Sequence, residues 1–380
     1  MKSTTYNWTN CKGDKMNVLS IGDIHLGNSN TPFTSILAGL YNAIPDNDET
    51  GKLDVIFIVG DIFDKLIMLP DAPVLDIQLW ITQLLRICKR RNIILRVLEG
   101  TPSHDRGQGM QFIAMDRVGE IGANVRYVDT LSIEHISELD IDVLYLPDEW
   151  HHDHNDTWVD VTKLLTEHGL DKVDFILMHG QFEHQMPAHL NLPCHVAERY
   201  ISIVRYFIFV GHIHFMSIYK CILAAGSFDC ISHGEEGDKG HFRVSVCKGN
   251  ENNQIKFVKN ELATNYSTID CLNLELADSL KLIEDTCTIP KGSHIRILCE
   301  RYSDIAASID LLKDKYPDYH WKTKQVTNDT TSTTTTDKVK YQAVSITKNN
   351  ISQMINNKLV LRETEDHVKV RALELLAEII

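Results

Sequence analysis

Long apolar runs are missing from this 380-residue sequence. None approaches the roughly 20 residues that cross a bilayer, and the opening MKSTTYNWTNCKGDKMN lacks the apolar stretch of a secretory signal. The expectation is a cytoplasmic protein that makes no use of a membrane. Closely spaced cysteine pairs are missing too. The nine cysteines, at 11, 88, 194, 221, 230, 247, 271, 287 and 299, form no CxxC, and several sit in apolar strand-like runs such as IRILCE. That argues against a zinc-thiolate site or a disulfide framework and for reduced, buried thiols. Positive charge is scarce as well, with 38 Lys and Arg against 52 Asp and Glu and a formal net charge of −14. A protein that gripped nucleic acid by its phosphates alone should be basic, so any such role needs a local basic patch, metal ions or a partner.

What remains is a chain long enough for two domains and a sizeable core. The runs MNVLSI (16–21), DVIFIV (54–59), IILRVL (93–98), DVLYL (142–146), VDFILM (173–178) and YFIFV (206–210) are short, continuous and rich in β-branched residues, as interior strands are. Helical patterns at 76–90 and 157–169 alternate with them, which predicts a layered α/β domain over 16–260 behind an N-terminal extension, 1–15. Residues 261–348 read as a small α+β domain with a strand-helix-strand unit at 293–326. It contains the low-complexity stretch TNDTTSTTTTD (327–337), read as a flexible loop. Residues 349–380 read as a partner-binding segment, with Val370, Leu373, Leu376, Ala377 and Ile380 on one stripe of an amphipathic helix.

The polar residues that follow the strands carry the chemistry. GDIHLG after the first run gives Asp23 and His25, and GDIFD after the second gives Asp61 and Asp64. The third run leads through GTPSHD to Ser103, His104 and Asp105, the fifth to His179, and the sixth through GHIH to His212 and His214. Each motif alone is equally at home in a hydrogen-bonded surface or core. Five strands each delivering Asp or His at their carboxyl ends are another matter, because those ends gather at one edge of an α/β sheet, where ligands bind. Carboxylate and imidazole without thiolate suit Mn²⁺, Fe²⁺ or Zn²⁺. Two ions about 4 Å apart need one bridging carboxylate, for which Asp61 is placed, and such a pair can activate water and clamp a phosphate.

This ordered set, DxH, GDxxD, a GNHD-like turn, H and GHxH, resembles the calcineurin-like metallophosphoesterase family over residues 16–247. The resemblance implies a metallophosphoesterase β-sandwich flanked by helices, with residues 261–348 as a small α+β capping and DNA-recognition domain and a C-terminal helix. It also implies one ion held by Asp23, His25, Asp61 and His214, and another held by Asp61, residue 103, His179 and His212. His104 would stand beside the scissile phosphate, oriented by Asp105. Most of the family has Asn where Ser103 stands, and a hydroxyl is a poorer ligand. AAGSFDCISHGEEGDKGHFRVSV (224–246) resembles the GS-x₇-E-x₃-KG strand pair in the nuclease subunit of the SbcC/SbcD double-strand-break exonuclease, and Asp64 fits the bacterial type. The GTPSHD variant suggests a divergent member of the kind bacteriophages encode, acting in the host cytoplasm. The resemblance thus implies a two-metal, Mn²⁺-dependent DNA exonuclease and endonuclease of DNA repair and recombination, homodimeric and partnered by an SbcC-like coiled-coil ATPase. A phosphoesterase with a non-DNA substrate and a non-catalytic scaffold subunit are the alternatives. WHHDHND (150–156) is His-rich but precedes a helix that Asp156 could cap.

In the family the region beyond the small domain binds the ATPase. Deleting 363–380 should therefore spare the Mn²⁺-dependent nuclease activity of the isolated subunit and abolish stimulation by the ATPase. Co-purification of the truncated chain with the ATPase would contradict the docking role.

Overall fold

The computed structural model describes residues 15–326 apart from 69–72, 149, 188–191, 249–252 and 302. Most of the expected N-terminal extension, the Thr-rich loop and the C-terminal helix lie outside the described residues. Within them, two six-stranded sheets build the main body. The first contains β1 (Lys15–Ile21), β2 (Val55–Val59), β3 (Ile94–Leu98), β4 (Val125–Val128), β11 (Gly240–Cys247) and β12 (Gln254–Lys259), in the order β12-β11-β1-β2-β3-β4. The second contains β5 (Ser132–Ile136), β6 (Ile141–Leu146), β7 (Val173–His179), β8 (Val204–Gly211), β9 (Ser217–Tyr219) and β10 (Ile222–Ala224), in the order β5-β6-β7-β8-β10-β9. The strands from β1 to β4 run parallel, as do β6, β7, β8 and β10, and antiparallel strands close the sheets' other edges.

The continuous apolar runs are explained by burial on both faces. Along β2, Val55, Phe57 and Val59 point between the sheets, against Phe175, Leu177 and Phe209 of the second sheet. The intervening Ile56 and Ile58 point outward beneath α1 (Phe33–Ala43) and α2 (Pro73–Arg91), joining Ile36, Leu40, Trp80 and Leu84, with Phe112 of α3 (Met110–Val118). The second sheet is covered by α4 (His154–Glu167) and α5 (Ala197–Ser202) through Val161, Leu165 and Tyr200. The molecule is thus a layered α/β structure of two mixed sheets flanked by helices.

Residues beyond 260 form a smaller unit. A parallel sheet, β13 (Tyr266–Asp270), β14 (His294–Glu300) and β15 (His320–Val326), packs its Ile269, Ile295, Ile297 and Trp321 against α6 (Leu276–Thr286), α7 (Asp304–Ala307) and α8 (Ile309–Lys315). The expected strand-helix-strand unit is therefore extended by one strand and one helix at its start. The 224–246 segment is not a strand pair. Its ends belong to β10 and β11, in different sheets, so it carries the chain from one sheet to the other.

Cys88, Cys194, Cys221, Cys230, Cys271, Cys287 and Cys299 are free thiols, but Cys247 is disulfide-bonded. The reading of reduced thiols throughout is corrected there, since local spacing is blind to pairing between distant cysteines. No helix among the described residues is long and apolar enough to cross a membrane.

Phe57 joins the sheets, its ring 5.9 Å from that of Phe175 and 5.8 Å from that of Phe209. Phe57→Ala should destabilise the protein by about 3–5 kcal/mol through lost burial and a cavity. Chemical denaturation measures this, and a change below about 1 kcal/mol would mean that the layer between the sheets repacks freely.

Candidate metal centre

β1, β2 and β3 of the first sheet, and β7 and β8 of the second, deliver their following residues to one place. The loops after β1 and β2 are zipped together by backbone hydrogen bonds, from Asp23 N–H to the Gly60 carbonyl (3.0 Å), from Ile24 and His25 N–H to the Asp61 carbonyl (2.8 and 3.0 Å) and from Leu26 N–H to the Ile62 carbonyl (2.8 Å). Glycine at the turns allows the approach. A Cβ on Gly60 would lie 2.3 Å from His179 Nδ1 and 2.6 Å from the Gly100 Cα, and one on Gly100 would lie 2.1 Å from the Asp61 nitrogen. Asp23, His25, Asp61 and His212 all hold positive φ, at 47°, 53°, 48° and 96°. Left-handed backbone at non-glycine residues is costly and clusters at functional sites, and here four such residues meet.

Among the described residues four overlapping sets of Asp and His bring ligand atoms together: Asp23, His25 and His214; Asp148, His179 and His212; Asp23, Asp61 and His179; and His25, Asp64 and His104. In the first, Asp23, His25 and His214 bring ligand atoms within 4.8 Å of one another, with His25 Nε2 and His214 Nε2 only 3.0 Å apart and Asp61 Oδ2 3.8 Å from His25 Nε2. In the second, Asp148, His179 and His212 lie equally close, and Asp61 Oδ2 is 3.4 Å from His179 Nε2. The Thr101 hydroxyl completes it, 3.2 Å from Asp61 Oδ2, 3.4 Å from His179 Nε2 and 3.5 Å from His212 Nδ1.

Two of the imidazoles, His179 and His214, are fixed from behind by hydrogen bonds. His179 Nδ1–H donates to the Val59 carbonyl at 2.7 Å. His214 Nδ1–H donates to Glu235 at 3.1 Å, and His25 Nδ1 faces Asp64 Oδ1 at 3.2 Å. Such partners orient the ring and turn its other nitrogen inward. Glu235 also accepts from Ser232 and Ser227, and the buried Lys239 ammonium bonds the Ser227 hydroxyl (2.7 Å) and the His214 carbonyl (2.9 Å). Burial would raise the Glu235 carboxyl, but His214, Ser232 and Lys239 hold it down at about 2. Burial likewise opposes charge on Asp61 and His179, yet each holds the other ionised: Asp61 is well below the usual carboxylate range and His179 well above the usual imidazole range.

The donor set fits divalent ions. Asp23 and Asp61 are 1% and 3% exposed, and among the described residues neither pairs with Lys or Arg. Buried carboxylates need compensating positive charge, and convergent imidazole nitrogens with carboxylate oxygens are ligands that Mn²⁺, Fe²⁺ and Zn²⁺ accept.

Of the residues expected at the site, the structure brings together Asp23, His25, Asp61, His179, His212 and His214, with His104 adjacent, its ring 5.2 Å from that of His25. Ser103 is not among them. It is exposed, and its carbonyl accepts from Arg106 Nε. Thr101 takes that place because the loop turns inward directly after Gly100. Asp105 does not orient His104 either. Buried, with its carboxyl pushed up to about 7 by desolvation, it accepts from the Phe63 and Gly100 N–H groups (2.8 Å each) and so holds the GTPSHD loop to the β2 turn. His104 Nδ1–H donates instead to the Asp64 carbonyl at 3.0 Å. The expected cap of α4 is also shifted, since Asp153 and not Asp156 accepts from a helix N–H.

Thr101 and Asp148 were each legible by a separate signal. At three strand ends the inward residue directly follows a glycine, in Gly22-Asp23, Gly60-Asp61 and Gly211-His212, and Gly100-Thr101 repeats the pattern. Asp148 stands two residues beyond β6, itself a run of the same kind.

No protein-family model matches the chain, and no curated protein matches it. The solved structure of TT1561 of Thermus thermophilus is similar at 12% identity, with a TM-score of 0.39, covering 65% of this chain and 100% of that one. Another solved structure has the same identity and TM-score, with 64% of this chain and 99% of the other covered.

The two hydroxyls make opposite predictions. Thr101→Val should weaken one of two Mn²⁺-binding steps about tenfold or more, whereas Ser103→Ala should change neither. Calorimetric titration distinguishes them, and the reverse pattern would return the ligand role to Ser103.

Proposed function

We propose that the protein is a divalent-metal-dependent phosphodiesterase of the calcineurin-like metallophosphoesterase type, cleaving DNA as the nuclease subunit of an SbcC/SbcD-like complex. The observation that carries the reading is the position of Asp61, whose Oδ2 faces both ligand groups, 3.8 Å from His25 Nε2 and 3.4 Å from His179 Nε2. One ion would be held by Asp23, His25, His214 and Asp61, and the other by Asp61, Thr101, Asp148, His179 and His212. Bound there, Mn²⁺ would supply Lewis acidity toward a phosphate and a nucleophile at neutral pH.

The chain's own residues provide the rest. His104, tethered through Nδ1–H to the Asp64 carbonyl, keeps Nε2 free, from which its imidazolium form would give a proton to the leaving oxygen or bond a phosphoryl oxygen. Backbone N–H groups orient the carboxylates: His212 N–H bonds Asp23 Oδ1 at 2.8 Å, and Thr101 N–H bonds Asp61 Oδ1 at 2.6 Å. The surroundings favour a diester in a polymer. A cavity of about 370 Å³ lined by Asp148, His212, His151 and His154 opens beside the second ligand group. Another, of about 560 Å³, lies beyond Asp64, which bonds its lining residue Asn28. A substrate that continues on both sides of its phosphate fits this arrangement better than a monoester does.

The charge of −14 supports division of labour with an ATPase partner that supplies DNA affinity. For the homodimer, support comes from Leu75 and Leu79, one turn apart on α2 and 64% and 54% exposed. Sites of action in the cytoplasm, in repair and recombination, follow from the same reading.

With end-labelled DNA, Mn²⁺ should elicit degradation and Asp61→Ala should abolish it. His104→Ala should lower kcat by about 10²–10⁴-fold while Mn²⁺ occupancy is kept. Nuclease activity surviving in Asp61→Ala, or faster turnover of a chromogenic phosphomonoester than of DNA, would overturn the reading.

A further inference from the structure

The outer face of the first sheet is apolar along its central strands, where Leu19 and Ile21 of β1 and Ile56 and Ile58 of β2 lie beneath the helices. β11 departs from this pattern. Its Phe242, Val244 and Val246 point between the sheets, so by strand alternation His241 and Arg243 stand on the outer face. Pairing register puts Arg243 opposite Leu19 on one side and Lys256 of β12 on the other. An imidazole and a guanidinium thus occupy positions at which neighbouring strands bury aliphatic side chains.

Both side chains line a cavity of about 90 Å³, with Gly39 and Ala43 of α1 and Lys259 and Asn260 around it. His241 is 1% exposed, and neither of its ring nitrogens has a hydrogen-bond partner. Burial, with the charges of Arg243 and Lys256, holds it down at about 3, so it is a neutral ring with one N–H and one lone pair to satisfy. Arg243 Nη2 donates to the Ala43 carbonyl at 3.0 Å, which gives the guanidinium a structural role, but its buried Nε–H has no acceptor. Carboxylates nearby are committed elsewhere. Glu49, at the rim and 67% exposed, pairs with Lys52, and Asp238 pairs with Lys259 at 2.8 Å. Asn260 is a fixed wall, since its N–H bonds the Lys239 carbonyl at 2.7 Å and its Nδ2 the Phe228 carbonyl at 3.1 Å. Gly39 makes room for it, because a Cβ there would lie 2.8 Å from Asn260 Nδ2.

We propose that this cavity binds one small tetrahedral oxyanion, with inorganic phosphate as its type, held by Arg243 Nε–H and His241 with Lys259 beside them. Buried polar atoms nearly always have partners, and two side chains that converge on one cavity without them mark the place of a missing one. Water would satisfy a neutral ring. A buried guanidinium N–H instead calls for negative charge, and oxyanions are what guanidinium groups bind best. The cavity has room for a single small ion and is far smaller than those of about 370 and 560 Å³ beside the metal ligands, which excludes a nucleotide. It lies on the outer face of β11, whereas the metal ligands stand beyond the strand ends, so the inference is independent of the nuclease reading.

The test is calorimetric titration of the full chain with sodium phosphate, in EDTA so that no bound metal contributes. The unaltered protein should take up a single equivalent. Arg243→Met and His241→Leu should each weaken uptake about tenfold or more. Both variants should keep the Mn²⁺-binding steps of the unaltered protein, which separates loss of the anion site from loss of the fold. Phosphate should raise the melting temperature of the unaltered protein and leave that of either variant where it is. Crystals of the unaltered protein soaked in selenate need no variant, and anomalous density should stand between His241 and Arg243. Phosphate bound equally by both variants, no uptake by the unaltered protein, or water alone between the two side chains in the selenate crystals overturns the site.

Discussion

The hydrogen bond from His179 to the Val59 carbonyl ties the two sheets together where the candidate centre lies. It is 2.7 Å long, wholly buried, and joins the last residue of β7 to the last residue of β2. Everything at the site depends on that junction. It fixes which imidazole nitrogen faces inward, and it brings the turns after β7 and β8 against the turns after β1, β2 and β3. The glycines serve the same end, because a Cβ on Gly211 would stand 2.4 Å from the same carbonyl oxygen. Between the sheets, Phe57, Phe175 and Phe209 supply the apolar area that makes so close an approach favourable.

The approach has an electrostatic consequence. It concentrates the buried Asp23, His25, Asp61 and His179 beside the half-buried His212 and His214, with backbone held in the left-handed region at Asp23, His25, Asp61 and His212. Such an arrangement is unfavourable by itself. Part of the compensation is internal, as in the mutual ionisation of Asp61 and His179 and in the Glu235, Ser227 and Lys239 network behind His214. The remainder is what divalent cations would provide, and this is the physical basis of the function proposed for the chain.

Much of this was legible in the sequence for a simple reason. Interior strands of a layered α/β structure are apolar on both faces, so β1, β2, β3, β6, β7 and β8 stand out as runs, and the first polar residues after them mark the edge where ligands gather. The two sheets' shorter and half-exposed strands, such as β4, β5 and β9, give no such run. Errors arose where geometry inside a turn decides which side chain points inward. GTPSHD contains a threonine, a serine, a histidine and an aspartate within five residues; the Gly-Thr step marks Thr101, but nothing in their order says that Ser103 faces solvent and Asp105 is a strut between loops. The roles of Glu235 and Lys239 depend on a crossing between sheets that local pattern does not encode, although their spacing from Ser227 was visible as a motif.

The central claim is that one carboxylate, Asp61, joins two metal sites. Electron paramagnetic resonance of the protein titrated with Mn²⁺ tests it most directly, because two ions sharing a carboxylate are exchange-coupled and separate ions are not. The account predicts a coupled-pair spectrum once two equivalents are bound. A spectrum of isolated Mn²⁺ at that loading would contradict it.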